Sequence, residues 1–414
     1  MNISQKTWLS VFFLTLLMLS MPMLQLNLGV QFRLGQLLFL TLFPILVLIS
    51  LNKREFNATF YLILIGFVIL MILTSLNSSY PKVKETTFFI KYLLIYTSII
   101  FVAYRLVFIL TLKNLILLLE LSVISFVFFQ MFLAVVPIPF LIHDRGGFTS
   151  IFQGTFFEIG WLANVLFFLT FLTVLLRIEY NIWPKSNRYL YLFYILVFIA
   201  VAVTHNKSVW IAIIISLSAL SIYKVLLFPL IIKTDKNTLV YNQVHKVLLQ
   251  INVKKLIVAL FIFSIAFYFY NNSLDNPIIS ESVMAEKVND ERGKAFYYGV
   301  LLLQESQWLG GYGFGYIEYY FGHLTDRVIG LGEGSAVLFN TYLDAWVSTG
   351  IVGMLFHVFL LFFAFSMRSL PTAILPFFIF VMANFNAVST SEWYYFYLGL
   401  LIGIKTRYVL HRKY

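Results

Sequence analysis

The sequence predicts an all-α, polytopic integral membrane protein, on three observations. Hydrophobic residues fill 61% of the 414 positions and charged residues only 11%, less than half the roughly 25% of an ordinary soluble domain. Apolar runs long enough to cross about 30 Å of hydrocarbon as helices recur along the whole chain. Twelve such runs are centred near residues 16, 43, 67, 96, 125, 168, 197, 216, 263, 358, 379 and 398. Basic residues, finally, are shared unequally between the connections on alternate sides of these runs, the asymmetry that orients membrane proteins. No stretch between the runs is long enough for a soluble domain of usual size, so residues 1–414 read as a single integral membrane domain.

The first run, TWLSVFFLTLLMLSMPML, follows a short tail with one lysine. No small-x-small cleavage site comes after it, so it reads as a retained anchor rather than a removed signal peptide. With the N-terminus inside and twelve spans, inner segments hold 19 of the 29 basic residues, outer segments nine, and Lys91 falls within a span. The chain is thus expected to cross its membrane with both termini cytoplasmic. The same placement explains the net charge of +11 as basic loops against an anionic leaflet, with no nucleic acid as partner. Cysteine is absent, which excludes disulfides and thiolate metal sites.

Two connections are long. Residues 224–255 form a basic cytoplasmic segment in which the apolar KVLLFPLII is broken by Pro229, a composition suited to anchoring on anionic lipid. Residues 271–334 form one long outer-face loop that carries much of the outer charge. Within it Phe296, Val300 and Leu303 recur at helical spacing, ahead of Gly310-Gly311. This predicts a helix on or dipping into the outer face and ended by the two glycines.

The glycines of GGYGFGY resemble a phosphate-cradling loop only superficially. They lack the lysine and the serine or threonine of a P-loop, and no strand precedes them. A tight turn with close backbone approach is the stronger reading. Cations on the outer side are few: Arg145 in HDRGGF, Lys207 in THNKSVW, and Arg292 and Lys294 in ERGKAF come from three separate outer loops. They suit a diphosphate, whose oxygens a guanidinium grips as a fork. Ion pairs with Glu158, Asp290 or Glu291 are the structural alternative. Acid and base groups on that side are His323, Glu318, Asp326, Glu333, Glu158 and Asp344. His323 and Glu333 lie between the glycine turn and the next span, where a substrate pocket would close. There is no DxD pair, no HExxH and no histidine cluster, so no metal or other cofactor is expected. Arginine and lysine would have to stabilise a departing phosphate group.

In their order along the chain, three segments together resemble the O-antigen polymerase and ligase superfamily, the Wzy-like and WaaL-like membrane proteins of bacterial polysaccharide assembly. THNKSVWIAIII is similar to the family's arginine-containing turn entering a span. ERGKAFYYGVLLLQESQWLGGYGFGY is similar to its arginine-led helix followed by Gly-x-Gly-x-Gly. FNTYLDAWVSTGIVGML is similar to its His-Asn-x-x-Leu segment, which leads to Gly-x-x-Gly and a span. Two positions depart from the pattern. Lys207 stands where the family often has arginine, and Phe339 stands where ligases carry histidine before Asn340. The second departure removes the ligase base and favours a polymerase.

The resemblance implies a GT-C-like glycosyltransferase fold and a polyprenyl-diphosphate-linked oligosaccharide as substrate, at the outer face of a bacterial cytoplasmic (inner) membrane. It implies a growing chain transferred from its carrier to a hydroxyl of the next lipid-linked repeat unit. Arg292, Lys207, Arg145 and Lys294 would bind the diphosphate, and Glu333 or His323 would accept the hydroxyl proton. Trp308, Tyr312, Tyr316 and Asn340 would contact glycan, although an interfacial aromatic belt also explains the first three. Besides the lipid bilayer, the partners implied are a chain-length regulator and a flippase. A ligase transferring glycan to lipid A core or protein is one alternative. A flippase is another, for which Lys91 and Glu120 are the main charges inside spans.

Overall fold

The computed structural model describes residues 4–21, 24–27, 31–51, 58–76, 83–136, 159–182, 187–203, 207–222, 291–314, 316–323, 338, 340–365, 371–385 and 391–410. They are overwhelmingly helical, in the order α1 (Gln5–Leu19), α2 (Leu34–Leu51), α3 (Ala58–Leu76), α4 (Val83–Ile109), α5 (Leu112–Val135), α6 (Ile159–Tyr180), α7 (Asn187–Val203), α8 (Lys207–Ile222), α9 (Glu291–Glu305), α10 (Tyr316–His323), α11 (Thr341–Ala364), α12 (Pro371–Phe385) and α13 (Glu392–Leu410). Eleven of the twelve expected centres fall inside these helices. The centre at 263 and the basic segment 224–255 lie outside the described residues. Among the described residues, Thr59–Leu76, Phe89–Ile109, Leu112–Leu133 and Thr341–Ala364 are long and apolar enough to cross a membrane. Gln5–Leu19, Leu34–Ser50, Leu162–Arg177, Leu192–Val201 and Ile374–Asn384 are shorter apolar helical stretches.

One small element departs from the all-α expectation. Between α1 and α2, β1 (Gln25–Asn27) pairs antiparallel with β2 (Gln31–Arg33), Leu26 opposite Phe32. Here Gln25, Asn27, Gln31 and Arg33 alternate with apolar residues, and a period of two favours strand over helix.

The centre of the bundle is the pair α4 and α13. Gly399 and Gly403, four apart on α13, face Ile100, Ala103, Tyr104 and Val107 of α4. A Cβ on Gly399 would collide with the Ile100 carbonyl, and one on Gly403 would lie 2.9 Å from the Tyr104 carbonyl. Small residues at this spacing let two backbones touch, which is how helices associate where lipid offers no hydrophobic drive. Around this axis the side chains form one continuous core that includes Phe39, Phe60, Phe168, Phe356 and Phe396.

The two ends of the bundle differ. At one end, α13 caps its neighbours: Arg407 Nη1 donates to the carbonyls of Val107 and Leu110, and Lys405 Nζ to those of Phe363 and Phe365. Cations there satisfy the orphan carbonyls of α4 and α11 and complement their dipoles. Gln5, at the start of α1, donates to Ile109 O at the same end. At the other end lie the hairpin, the first turns of α4 and α13 and the glycine-rich turn, whose Phe314 ring meets Phe89 of α4 at 5.0 Å. Nearer the capped end, Glu120 of α5 is held by a two-pronged ion pair from Arg177 of α6, both contacts at 2.8 Å.

Candidate functional site

The glycine-rich turn is built around a broken helix. Gly350, in the middle of α11, has φ +72° and ψ −172°, which ends one helical segment and starts another. The break withdraws the N–H partners that the carbonyls of Trp346, Val347 and Ser348 would find one turn on. The turn supplies them. Gly311 N donates to Val347 O at 3.0 Å, Tyr312 N to the same oxygen at 3.0 Å, and Gly313 N to Ser348 O at 2.9 Å. Gly310, Gly311 and Gly313 all have positive φ, a region that costs other residues roughly 1–2 kcal/mol. A Cβ on Gly310 would collide with the Trp346 carbonyl. The glycines are therefore a backbone latch, and the N–H groups of 311–313 that a phosphate would need are committed to α11.

This latch organises a second, smaller core. Leu302 and Leu303 of α9, Ile317 and Phe321 of α10, and Leu338, Leu343 and Val347 at the start of α11 pack together. Gly299 lets α9 approach, since a Cβ there would sit 2.8 Å from Leu338 and Leu343 side chains. Asn340 caps α11, its Oδ1 accepting from Tyr342 N at 3.1 Å and Leu343 N at 3.0 Å, while its Nδ2 reaches Asn384 of α12. Asp344 ties the same corner by accepting from Leu338 N. Beside the break an open cavity of about 410 Å³, lined by Leu70, Leu73, Thr74, Leu309, Gly350 and Ile351 among others, faces α3.

Aromatic rings run over this core. Tyr312 and Tyr316 stack at 4.6 Å and 12°, Tyr316 meets Tyr320 at 6.1 Å, and Tyr320 meets Tyr298 at 6.2 Å. Tyr312 OH donates to Leu302 O at 2.8 Å, which fixes the head of the ladder. Burial pushes the phenols of Tyr312, Tyr316 and Tyr320 above their ordinary pKa, with the Ser306 hydrogen bond opposing it at Tyr312. Trp308, 49% exposed, accepts from Trp346 Nε1 through its carbonyl.

The structure thus brings Tyr312 and Tyr316 together, puts Trp308 against Trp346 at the same turn and makes Asn340 the cap of the helix that the turn latches. Arg292 and Lys294 lie in the first turn of α9, Lys207 opens α8 and His323 ends α10. Lys294 is half-buried. For Arg292, Lys207 and His323 the backbone position is what is described, and Arg145 and Glu333 lie outside the described residues. The chain matches no protein-family model and no curated protein.

Sequence reasoning missed one cluster at this end of the bundle. Arg33 Nη1 donates to Glu392 Oε1 at 2.6 Å, joining β2 to the start of α13. Gln36 Nε2 donates to the same oxygen at 2.6 Å, and Gln36 Oε1 accepts from Arg33 N at 3.1 Å. Burial opposes the charge of Arg33, and Glu392, helped by Tyr92 and Tyr96, outweighs it, so its pKa is raised. Lys91 of α4 hangs over the rings of Phe32 at 4.5 Å and Tyr92 at 5.1 Å. The one signal available in the sequence was Lys91, a lone charge inside an apolar run.

Proposed function

We propose that this protein is a polymerase of polyprenyl-diphosphate-linked oligosaccharide repeat units, acting at the outer face of a bacterial cytoplasmic membrane. The observation that carries the reading is the latched turn. A glycine-rich strap on a broken, membrane-length helix presents a rigid ladder of tyrosine rings next to a largely apolar cavity. Aromatic faces with a polar tip suit sugar rings, and apolar walls suit a polyprenyl chain. A twelve-span, GT-C-like architecture with both termini cytoplasmic belongs to the same proposal. It is supported by the start of α1 and the end of α13 lying at one end of the bundle, where Lys405 and Arg407 collect.

In the reaction the bond from the sugar's anomeric carbon to the diphosphate oxygen breaks, and a new bond forms to a hydroxyl of the next unit. The hydroxyl proton goes to Glu333 or His323. The diphosphate leaves with its charge held by Arg292, Lys207 and Arg145, preorganised cations aimed at charge that grows in the transition state. The phenols of the ladder are neutral at their ordinary pKa of about 10 and burial pushes that pKa higher still, so they do not repel the departing anion.

The test is the lipid-linked product that accumulates in a strain lacking the gene. Single repeat units on their carrier at the outer face are expected. Full-length unattached polymer would make the protein a ligase instead, and units trapped on the inner face would make it a flippase.

A further inference from the structure

Two buried polar atoms, one on α6 and one on α13, go without hydrogen-bond partners. Asn164 Oδ1, in the second turn of α6, can only accept a hydrogen bond, and the Tyr397 hydroxyl of α13 has a proton to give. Neither finds a partner among the described residues. The two residues are neighbours across the helix contact. The Tyr397 ring stacks on Phe168 of α6 at 3.8 Å and 19°, and Phe168 lies one helical turn from Asn164 on the same face. Tyr397 is 2% exposed, so bulk water does not serve its hydroxyl. Asn164 and Tyr397 line one cavity of about 20 Å³, together with Ser391 and Tyr394 among others.

The size and chemistry of this cavity decide what fits it. A water needs roughly 10–15 Å³ of such space and two to four polar partners. The cavity therefore takes a water and excludes a sugar ring or a lipid headgroup. A donor from one helix and an acceptor from the other are what a water bridges, since it accepts and donates at once. A metal ion could use Asn164 Oδ1 but has nothing with which to accept the Tyr397 proton. Among the described lining residues none is charged, so a cation would also lack a counter-charge. A direct bond from Tyr397 to Asn164 is not made, and the stacked ring fixes where the hydroxyl can go.

We propose that this cavity is a binding site for one structural water, which accepts from Tyr397 OH and donates to Asn164 Oδ1 and so joins α6 to α13. The site lies where several helices meet. Tyr394, in the same lining, shares a hydrogen bond with His357 Nδ1 at 3.1 Å, and His357 belongs to the part of α11 beyond its break at Gly350. Ile379 and Met382 of α12 close another side. In hydrocarbon no solvent can stand in for a missing partner, so a polar pair left open there is costly and a bound water that satisfies both members is retained. The water is part of the helix packing, and its site does not depend on the polymerase reading.

The direct test is a cryo-electron-microscopy map of the full chain in a lipid nanodisc, with a bound antibody fragment, at a resolution that shows ordered waters. A peak about 3 Å from both Asn164 Oδ1 and Tyr397 OH is expected. No peak there in a map that shows other internal waters overturns the site, and so does density in which the two side chains touch. Thermal unfolding in detergent is the second readout. Asn164→Leu and Tyr397→Phe should each lower Tm by about 2–4 °C, because each leaves the other's polar group stranded. The double variant should lose less than the sum of the two, since removing both groups leaves nothing to satisfy. Additive shifts overturn the shared water. Unfolding of the parent in sodium chloride and in choline chloride at equal ionic strength should give the same Tm. A rise in sodium that Tyr397→Phe abolishes would make the ligand a cation and overturn the assignment.

Discussion

Arg292 and Lys294 stand where a helix least favours them. The first turn of α9 already carries the positive end of the dipole, and a cation there is disfavoured by roughly 0.3–1 kcal/mol unless an anion is near. A leaving diphosphate is such an anion. Arg292→Ala should then remove a stabilisation of about 3 kcal/mol, on the order of 100-fold in rate. Arg292→Lys should recover only part, a point charge replacing a planar fork. If Arg292 only pairs with Glu291 at the surface, the loss is about 1 kcal/mol or less and shows as stability rather than turnover. Chain extension by purified, folded variants separates the two: a rate within about threefold of the parent, under 1 kcal/mol, returns Arg292 to a surface role. Charges inside the bundle answer to a different rule. Glu120 is 1% exposed on its side chain and gripped by Arg177. Glu120→Gln strands a buried cation and should lower stability by about 3–5 kcal/mol. Adding Arg177→Met should return much of it, because replacing both partners of a buried pair is far milder than breaking it. Denaturation of the single and double variants in detergent reads this directly, and additive losses would remove the pair from the stability argument.

Among the elements, the latch shows what hydropathy sees and what it misses. The turn at Gly310-Gly311 was legible, because clustered glycines announce positive φ. Its partner was not: Gly350 was read only as the first glycine of a Gly-x-x-Gly that leads into a span, because an apolar average carries no information on one residue's φ. The need for a break appears only when the carbonyls of 346–348 are seen accepting from another segment. The hairpin was missed for a related reason. A three-residue strand is too short for its period to stand out between two long apolar runs. The latch yields a controlled comparison of glycines. Gly310→Ala forces a side chain into a positive φ and against the Trp346 carbonyl, whereas a Cβ on Gly66 of α3 meets nothing within 4 Å. Gly310→Ala is expected to cost about 1–3 kcal/mol. Gly66→Ala should be neutral or stabilising by about 0.5–1 kcal/mol through helix propensity. Thermal unfolding in one detergent measures both, and equal effects would mean that the turn is not latched.

At the scale of the whole molecule, the apolar helices were legible because length and apolarity are local, while their pairing was not. Nothing local announces that Gly399 and Gly403 seat α13 on α4, or that Arg33 meets Glu392 across most of the chain. What joins the two levels is the difference between the ends of the bundle. Lys405 and Arg407 gather with Gln5 at one end, and the hairpin gathers with the glycine latch at the other. Cytoplasmic ends are enriched in lysine and arginine, so the proposed topology makes the first end the inner one and the latch outward-facing. The chain has no cysteine, so single cysteines report this without a background. Tyr297→Cys on α9 and Gln25→Cys on the hairpin, both exposed, should react with a membrane-impermeant maleimide on intact cells. Lys113→Cys, exposed at the start of α5, should react only after the membrane is opened. The reverse pattern would put the latch in the cytoplasm, beyond the reach of a lipid-linked glycan on the outer leaflet, and the polymerase reading would fall with it. Labelling of all three positions on intact cells would instead break the link between bundle end and membrane side, leaving the helix packing in place without its orientation.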